Sequence, residues 1–159
     1  MLSVKLFVTG TLKEQYYKSA IEEYKKRLTK FCQFDIIEFK EDKLPDEPTE
    51  KQIEQALLAE GEKILSSMPQ RAYKIALCVE GKQMSTEEFA KKLDDVASSH
   101  GEVCWVIGSS FGLSEKLKNA CDMKLSVSKM TLTHQMMRVW LTEIIYRCLS
   151  INHGGKYHK

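Results

Sequence analysis

Two short runs limit what this chain can become. YKIALCVEG (73–81) and VCWVIG (103–108) are almost continuously apolar, and each stops at a glycine. A strand reads this way when both of its faces are covered, as in a parallel sheet held between helices. The stretch between them supplies a helix. Ser85 with Glu88 three residues on makes a capping box, and Phe89, Leu93 and Val96 follow at helical spacing.

The rest of the chain repeats this alternation. LSVKLFVT (2–9) predicts a first strand that breaks at Gly10. From 12 to 31, Tyr17, Ala20, Ile21, Tyr24, Leu28 and Phe31 recur at helical intervals with charges between them, an amphipathic helix against a core. QFDIIEFK predicts a second strand, and EDKLPDEP, with two prolines and four acids, a loop. Thr49 and Gln52 form another capping box, opening a helix to about Ser66. After the 103–108 strand come a loop and short helix, SSFGLSEKLKNAC, and a last strand, KLSVS (124–128). The expected class is α/β, a single domain over 1–159 with a mostly parallel central sheet. At 159 residues and 43% hydrophobic, the chain has enough apolar material for one core.

Composition narrows the function classes. Lys and Arg number 24 against 22 Asp and Glu, a net charge of +2, so any RNA must be recognised through shape or a local patch. The five cysteines are odd in number and lack CxxC spacing, which points to reduced thiols and away from a disulfide framework or a zinc site. No apolar run approaches about 18 residues, and the amino terminus lacks a basic region and a cleavage site. The expectation is a cytoplasmic protein, neither exported nor membrane-spanning and without a metal.

In open parallel sheets ligands bind beyond the carboxyl ends of the strands, which singles out EGK, GSSFGL and SKMTLT. The glycines of GSSFGL suit a backbone passing close to a ligand, and equally a tight strand-to-helix turn. Thr133 can cap the last helix. Met137, Trp140, Leu141, Ile144 and Cys148 form an apolar stripe along it, for core or dimer contact. His134, Arg138, Thr142 and Tyr146 follow one another at four-residue steps, a polar edge, and Glu143 and Arg147 can pair. The tail NHGGKYHK is either a frayed end or a place where Tyr and His stack on a base while Lys holds phosphate.

Taken together, an apolar strand ending in IG, the GSSFGL loop, LSVSKMTLTHQMMRV, a terminal YHK and an amino-terminal VTGTLKEQYY resemble the ribosomal RNA large-subunit methyltransferase H family of the SPOUT superfamily, along the whole chain. The resemblance implies a trefoil knot, an exception to the rule against threaded chains, with the cofactor-binding knot in about 73–159. It implies S-adenosylmethionine held by Leu77, by Gly108 opening the glycine loop, and by Leu125, Ser126, Val127, Ser128, Lys129 and Met130. It further implies a homodimer that methylates N3 of a pseudouridine in large-subunit (23S) rRNA on the assembled ribosome. Because the imide nitrogen must lose its proton, the expected catalytic set is His134 or His158 assisting deprotonation, Arg138 stabilising the uracil oxygens and Tyr157 stacking on or positioning the base. The chain departs from the family at Ser109 and Phe111, where a second glycine and a polar residue are usual, at Thr133, usually proline, and at Ile144 and Ile145. A ribosome-associated RNA-binding protein of the same fold with weak or no methyl transfer is the alternative. A flavodoxin-like domain would need a phosphate loop, for which GTLKEQ after the first strand is too poor in Ser, Thr and Gly.

Overall fold

In the computed structural model, which describes residues 1–159, the chain runs β1 (Leu2–Thr9), α1 (Gln15–Leu28), β2 (Cys32–Phe39), α2 (Glu50–Ser67), β3 (Tyr73–Lys82), α3 (Thr86–Ser99), β4 (Glu102–Ile107), α4 (Glu115–Ala120), β5 (Met123–Leu125) and α5 (His134–Asn152). The five strands form one sheet in the order β2-β1-β4-β3-β5, and every pairing is parallel. Non-consecutive neighbours require crossovers, which the helices provide.

The alternation of β1 explains the two layers. Leu2, Val4, Leu6 and Val8 point to one face, where they join Phe89, Leu93 and Val96 of α3, Leu141, Ile145, Cys148 and Leu149 of α5, and Leu28 of α1. Phe7 points to the other face and meets Ile64 and Met68 near the end of α2, together with Leu117 of α4. The continuous apolar runs are buried as their composition demands. Ile75, Ala76, Val103, Trp105 and Val106 have no measurable exposure.

Both capping boxes form as expected, because each is a contact over three residues that needs nothing else from the fold. Thr49 Oγ1 accepts from the Gln52 amide and Gln52 Oε1 from the Thr49 amide, and Ser85 and Glu88 repeat the pattern. Two boundaries differ from expectation. The first helix starts at Gln15 and ends at Leu28, three residues inside each predicted end, with Phe31 packing on the core beyond it. The last strand is only Met123–Leu125. The Ser126 hydroxyl donates to the Ser128 carbonyl at 3.1 Å, and the Ser128 hydroxyl accepts the Met130 amide at 3.0 Å. Local hydroxyl bonds of this kind displace the strand ladder.

Candidate functional site

A cleft of about 950 Å³ opens at the carboxyl ends of β3, β4 and β5, a size within the range of ligand pockets. Its walls are Leu77 to Glu80 from β3, Ile107 and the loop to Leu113 after β4, Leu125 to Ser128 from β5 onward, Met130 to Gln135 with Met137, and Glu14, Tyr16 and Tyr17 around the start of α1. Lys118, from α4, completes it.

The loop after β4 depends on its first glycine. A Cβ on Gly108 would lie inside the backbone of Gly112, 2.9 Å from its Cα and closer still to its carbonyl. The loop closes tightly because the Gly112 amide donates to Ser109 O at 2.9 Å and the Phe111 amide to Ser109 Oγ at 3.3 Å. Ser109 is buried and Phe111 is exposed, so the two departures from the family pattern do different things: the serine braces the turn and the phenylalanine projects from it. On the neighbouring strand, a Cβ on Gly81 would meet the Leu125 backbone at 2.6 Å, and the Ser126 amide donates to Lys82 O at 3.0 Å. The chain after β5 is thus pressed against the end of β3.

The expected cofactor residues Leu77, Gly108, Leu125, Ser126, Val127, Ser128 and Met130 all line this cleft. Lys129 does not; it is exposed beside it. His134 also lines the cleft, at the first position of α5, after Thr133 whose hydroxyl accepts the Met136 amide at 3.2 Å. Partial burial, then the nearby Arg138 cation, lowers the imidazole pKa below its usual value. His134 is therefore neutral at pH 7 and has a lone pair to accept a proton.

Arg138 lies one turn further on and does not line the cleft. Only 1% of it is exposed. One terminal nitrogen donates to Thr9 O at 2.8 Å and Gly10 O at 2.9 Å, and the other to Glu38 at 3.2 Å. The expected contact with uracil oxygens does not match this placement, because the guanidinium faces the end of β1 in its own chain. Beyond His134 the polar edge turns inward. Thr142 is fully buried with its hydroxyl donating to Arg138 O at 2.6 Å, and the Tyr146 ring sits among Tyr24, Phe31 and Tyr157. The i, i+4 spacing could not reveal that Arg138 turns inward, since Thr9 and Gly10 lie 129 and 128 residues away.

Tyr157 and His158 do not line the cleft of their own chain. The Tyr157 hydroxyl donates to Glu143 at 3.0 Å, with the Arg147 guanidinium 4.7 Å over its ring. Hydrogen bonding with Tyr24, then burial and Glu143, raises its pKa. His158 Nε2 lies 2.8 Å from Glu87, and Arg147 pairs with Glu143 at 2.6 Å. Glu143 follows His134 by nine residues, about 14 Å along a helix. The tail is therefore docked well away from His134. Of the apolar stripe, Leu141 and Cys148 are used up in the core, whereas Met137, Trp140 and Ile144 keep part of their surface.

Some lining residues were less legible: Glu80 stood out only as part of the EGK loop, and Lys118 gave no signal in the sequence. Glu80 and Lys118 pair across the cleft wall, Lys118 also reaching Glu115, and the lysine hydrogen bond keeps the Glu80 carboxyl below its usual pKa. Tyr17 reads as a core residue by spacing, yet it lines the cleft with Tyr16. No group of His, Cys, Asp and Glu gathers in a way that could hold a metal ion. No helix is long and apolar enough to cross a membrane.

These features can be set beside known proteins. The family model described as "Predicted SPOUT methyltransferase" matches residues 2–158. Full-length relatives named ribosomal RNA large subunit methyltransferase H are similar throughout. The protein of Clostridioides difficile is 43% identical over 99% of this chain and all of its own, and that of Levilactobacillus brevis is 41% identical over the same shares. Among solved structures, a probable methylase family protein from Haemophilus influenzae superimposes with a TM-score of 0.55 at 15% identity, covering 98% of this chain and 70% of that one. The tRNA (m1G37) methyltransferase of Aquifex aeolicus gives 0.50 at 14% identity, over 91% and 69%. Those two likenesses concern the fold alone. A family match from residue 2 to residue 158, with relatives above 40% identity over their full length, means that this chain belongs to the SPOUT methyltransferases and, among them, to the family of the ribosomal RNA large subunit methyltransferases H.

Proposed function

We propose that this enzyme transfers the methyl group of S-adenosylmethionine to N3 of a pseudouridine in large-subunit rRNA, on assembled ribosomes in the cytoplasm, and that it works as a homodimer with a knotted carboxyl-terminal half. The observation that carries the reading is the cleft itself. The glycine turn at Gly108 and the segment after β5 converge on it, and His134 lies on its rim. The residues present fit the cofactor: Leu77, Ile107, Leu125 and Val127 offer apolar walls for a flat base.

When bound there, S-adenosylmethionine would supply an electrophilic methyl on a sulfonium. The chain's task is alignment and proton removal. The narrow turn at Gly108 and the strut from Ser126 to Lys82 hold the cofactor walls at fixed separation, which is what an in-line displacement requires. Neutral His134 accepts the proton from the imide nitrogen, so the nucleophile reacts as its anion. Arg138 acts through position, tying the first turn of α5 to the end of β1 so that His134 stays on the rim. Met137, Trp140 and Ile144 are the surface that a second copy would cover, and Tyr157 and His158 serve the cleft of that second copy. A nearly neutral protein is suited to an assembled target, whose shape can replace a broad basic face.

The test is transfer of labelled methyl to intact ribosomes and, separately, to stripped large-subunit RNA, both from cells lacking this protein. Label on a pseudouridine in intact ribosomes is the expected result. No label on either substrate, with S-adenosylmethionine binding also absent, would overturn the reading.

A further inference from the structure

The strand ends supply most of the cleft, but one stretch of its wall comes from the first turn of α1. There the exposed ring of Tyr16 stands where the amphipathic pattern of the helix does not require an aromatic. The buried residues of α1 are Ile21 and Leu28, and Tyr16 is 64% exposed. Its ring lies 4.5 Å from that of Tyr17, tilted by 58°, and both residues line the cleft. Tyr17 is half-buried and so backs the outer ring. Here two aromatic rings in contact stand together at the mouth of a binding cleft, an amphipathic surface suited to a partner that is part apolar and part polar.

The position of this pair is fixed relative to the reacting groups. The Lys13 amide donates to Gln135 Oε1 at 3.3 Å, joining the segment before α1 to the first turn of α5, next to His134. The aromatic pair and the proposed proton acceptor thus share one rim. In sequence, exposed Lys13 and Lys18 bracket the pair, and Glu14 between them lines the cleft with the two rings. An aromatic face with cations beside it is the arrangement that holds an unpaired base and its phosphate. Chemistry on a base also requires that base to leave its stack.

We infer that Tyr16, backed by Tyr17, is a stacking platform that receives an unpaired RNA base at the mouth of the cleft. This rests on the proposed methyl transfer to rRNA and names the residue that positions the RNA there. A protein partner on the same face, or a second copy of this chain, is an outcome that the test separates.

The experiment compares the full-length protein with Tyr16→Ala and Tyr16→Phe. Steady-state methyl transfer to ribosomes, co-sedimentation with large subunits, S-adenosylmethionine affinity by calorimetry and mass by light scattering are measured for each. The alanine variant should raise KM for ribosomes and weaken co-sedimentation by roughly ten- to a hundredfold, the range of one aromatic–base stack. Its kcat at saturation, cofactor affinity and oligomeric mass should be those of the parent, and phenylalanine should restore KM, since stacking needs the ring and not the hydroxyl. An alanine variant that matches the parent in KM and co-sedimentation overturns the inference, as does one whose defect comes with a changed mass, which would make the pair a contact between protein copies. Failure of the parent protein itself to label ribosomes strikes the proposed function, and co-sedimentation then still decides whether Tyr16 meets RNA.

Discussion

Replacing Arg138 by methionine separates positioning from catalysis. Methionine keeps much of the aliphatic stem, so the packing loss is small. What disappears is the charged donor to two carbonyls, Thr9 O at 2.8 Å and Gly10 O at 2.9 Å. Thr9 is 1% exposed, so its carbonyl is left without water, whereas Gly10 is only partly buried and can be solvated. A hydrogen bond to a charged group contributes about 1.5–3 kcal/mol and an ordinary one about 1. The Glu38 contact adds little, because 45% of that side chain is exposed. Against these losses stands relief from desolvation, the largest influence on the guanidinium and the one that lowers its pKa. The net destabilisation is about 2–3 kcal/mol, hence a melting temperature lower by about 4–12 °C for a chain of this size. Calorimetry on the cofactor-free protein measures it, and Arg138→Lys should recover only part, since an ammonium lacks the fork that spans two carbonyls. Methyl transfer should fall together with stability. A methionine variant that melts like the parent yet has no activity would refute this reasoning and put Arg138 on the substrate.

His134→Ala should do the opposite, leaving the melting temperature alone while lowering kcat about a hundred- to ten-thousandfold, the usual contribution of a positioned base. Because burial and Arg138 lower the pKa of His134 from 6.5, the neutral, active form persists through pH 7. The rate should decline only as the pH drops below that histidine pKa, and a limb centred above 6.5 would exclude His134 as the acceptor. Gly108→Ala must displace the Gly112 backbone, so S-adenosylmethionine affinity in a titration should fall at least tenfold with far-UV circular dichroism unchanged; unchanged affinity would mean that the turn does not form the cofactor wall. Burial pushes the thiols of Cys104 and Cys121 up to about 11 and those of Cys32 and Cys148 up to about 12, so alkylation of the native protein at pH 8 should spare these four, while denaturation exposes all five cysteines, as intact mass will show.

Those parts of the molecule whose cause is local could be read from the residues. The capping boxes at Thr49 and Ser85 join residues three apart, and the cap at Thr133 is equally short-range. The apolar runs of β3 and β4 have no polar face to turn outward, so their burial follows from composition. The loops that build the cleft were legible for the same reason: parallel strands deliver their carboxyl ends to one side, and glycine marks where backbone must approach backbone. The distant partners of polar side chains, by contrast, came from how the elements pack. The spacing of His134 and Arg138 sets them on one edge of a helix, yet one reaches the cleft and the other Thr9 at the end of β1, 129 residues away in sequence. Tyr16 and Tyr17 gained their place on the rim from the Lys13 to Gln135 contact, which spans 122 residues. Periodicity records which side of an element is apolar, but the partner of a polar group is chosen by the order of strands in the sheet, and no local pattern carries that order.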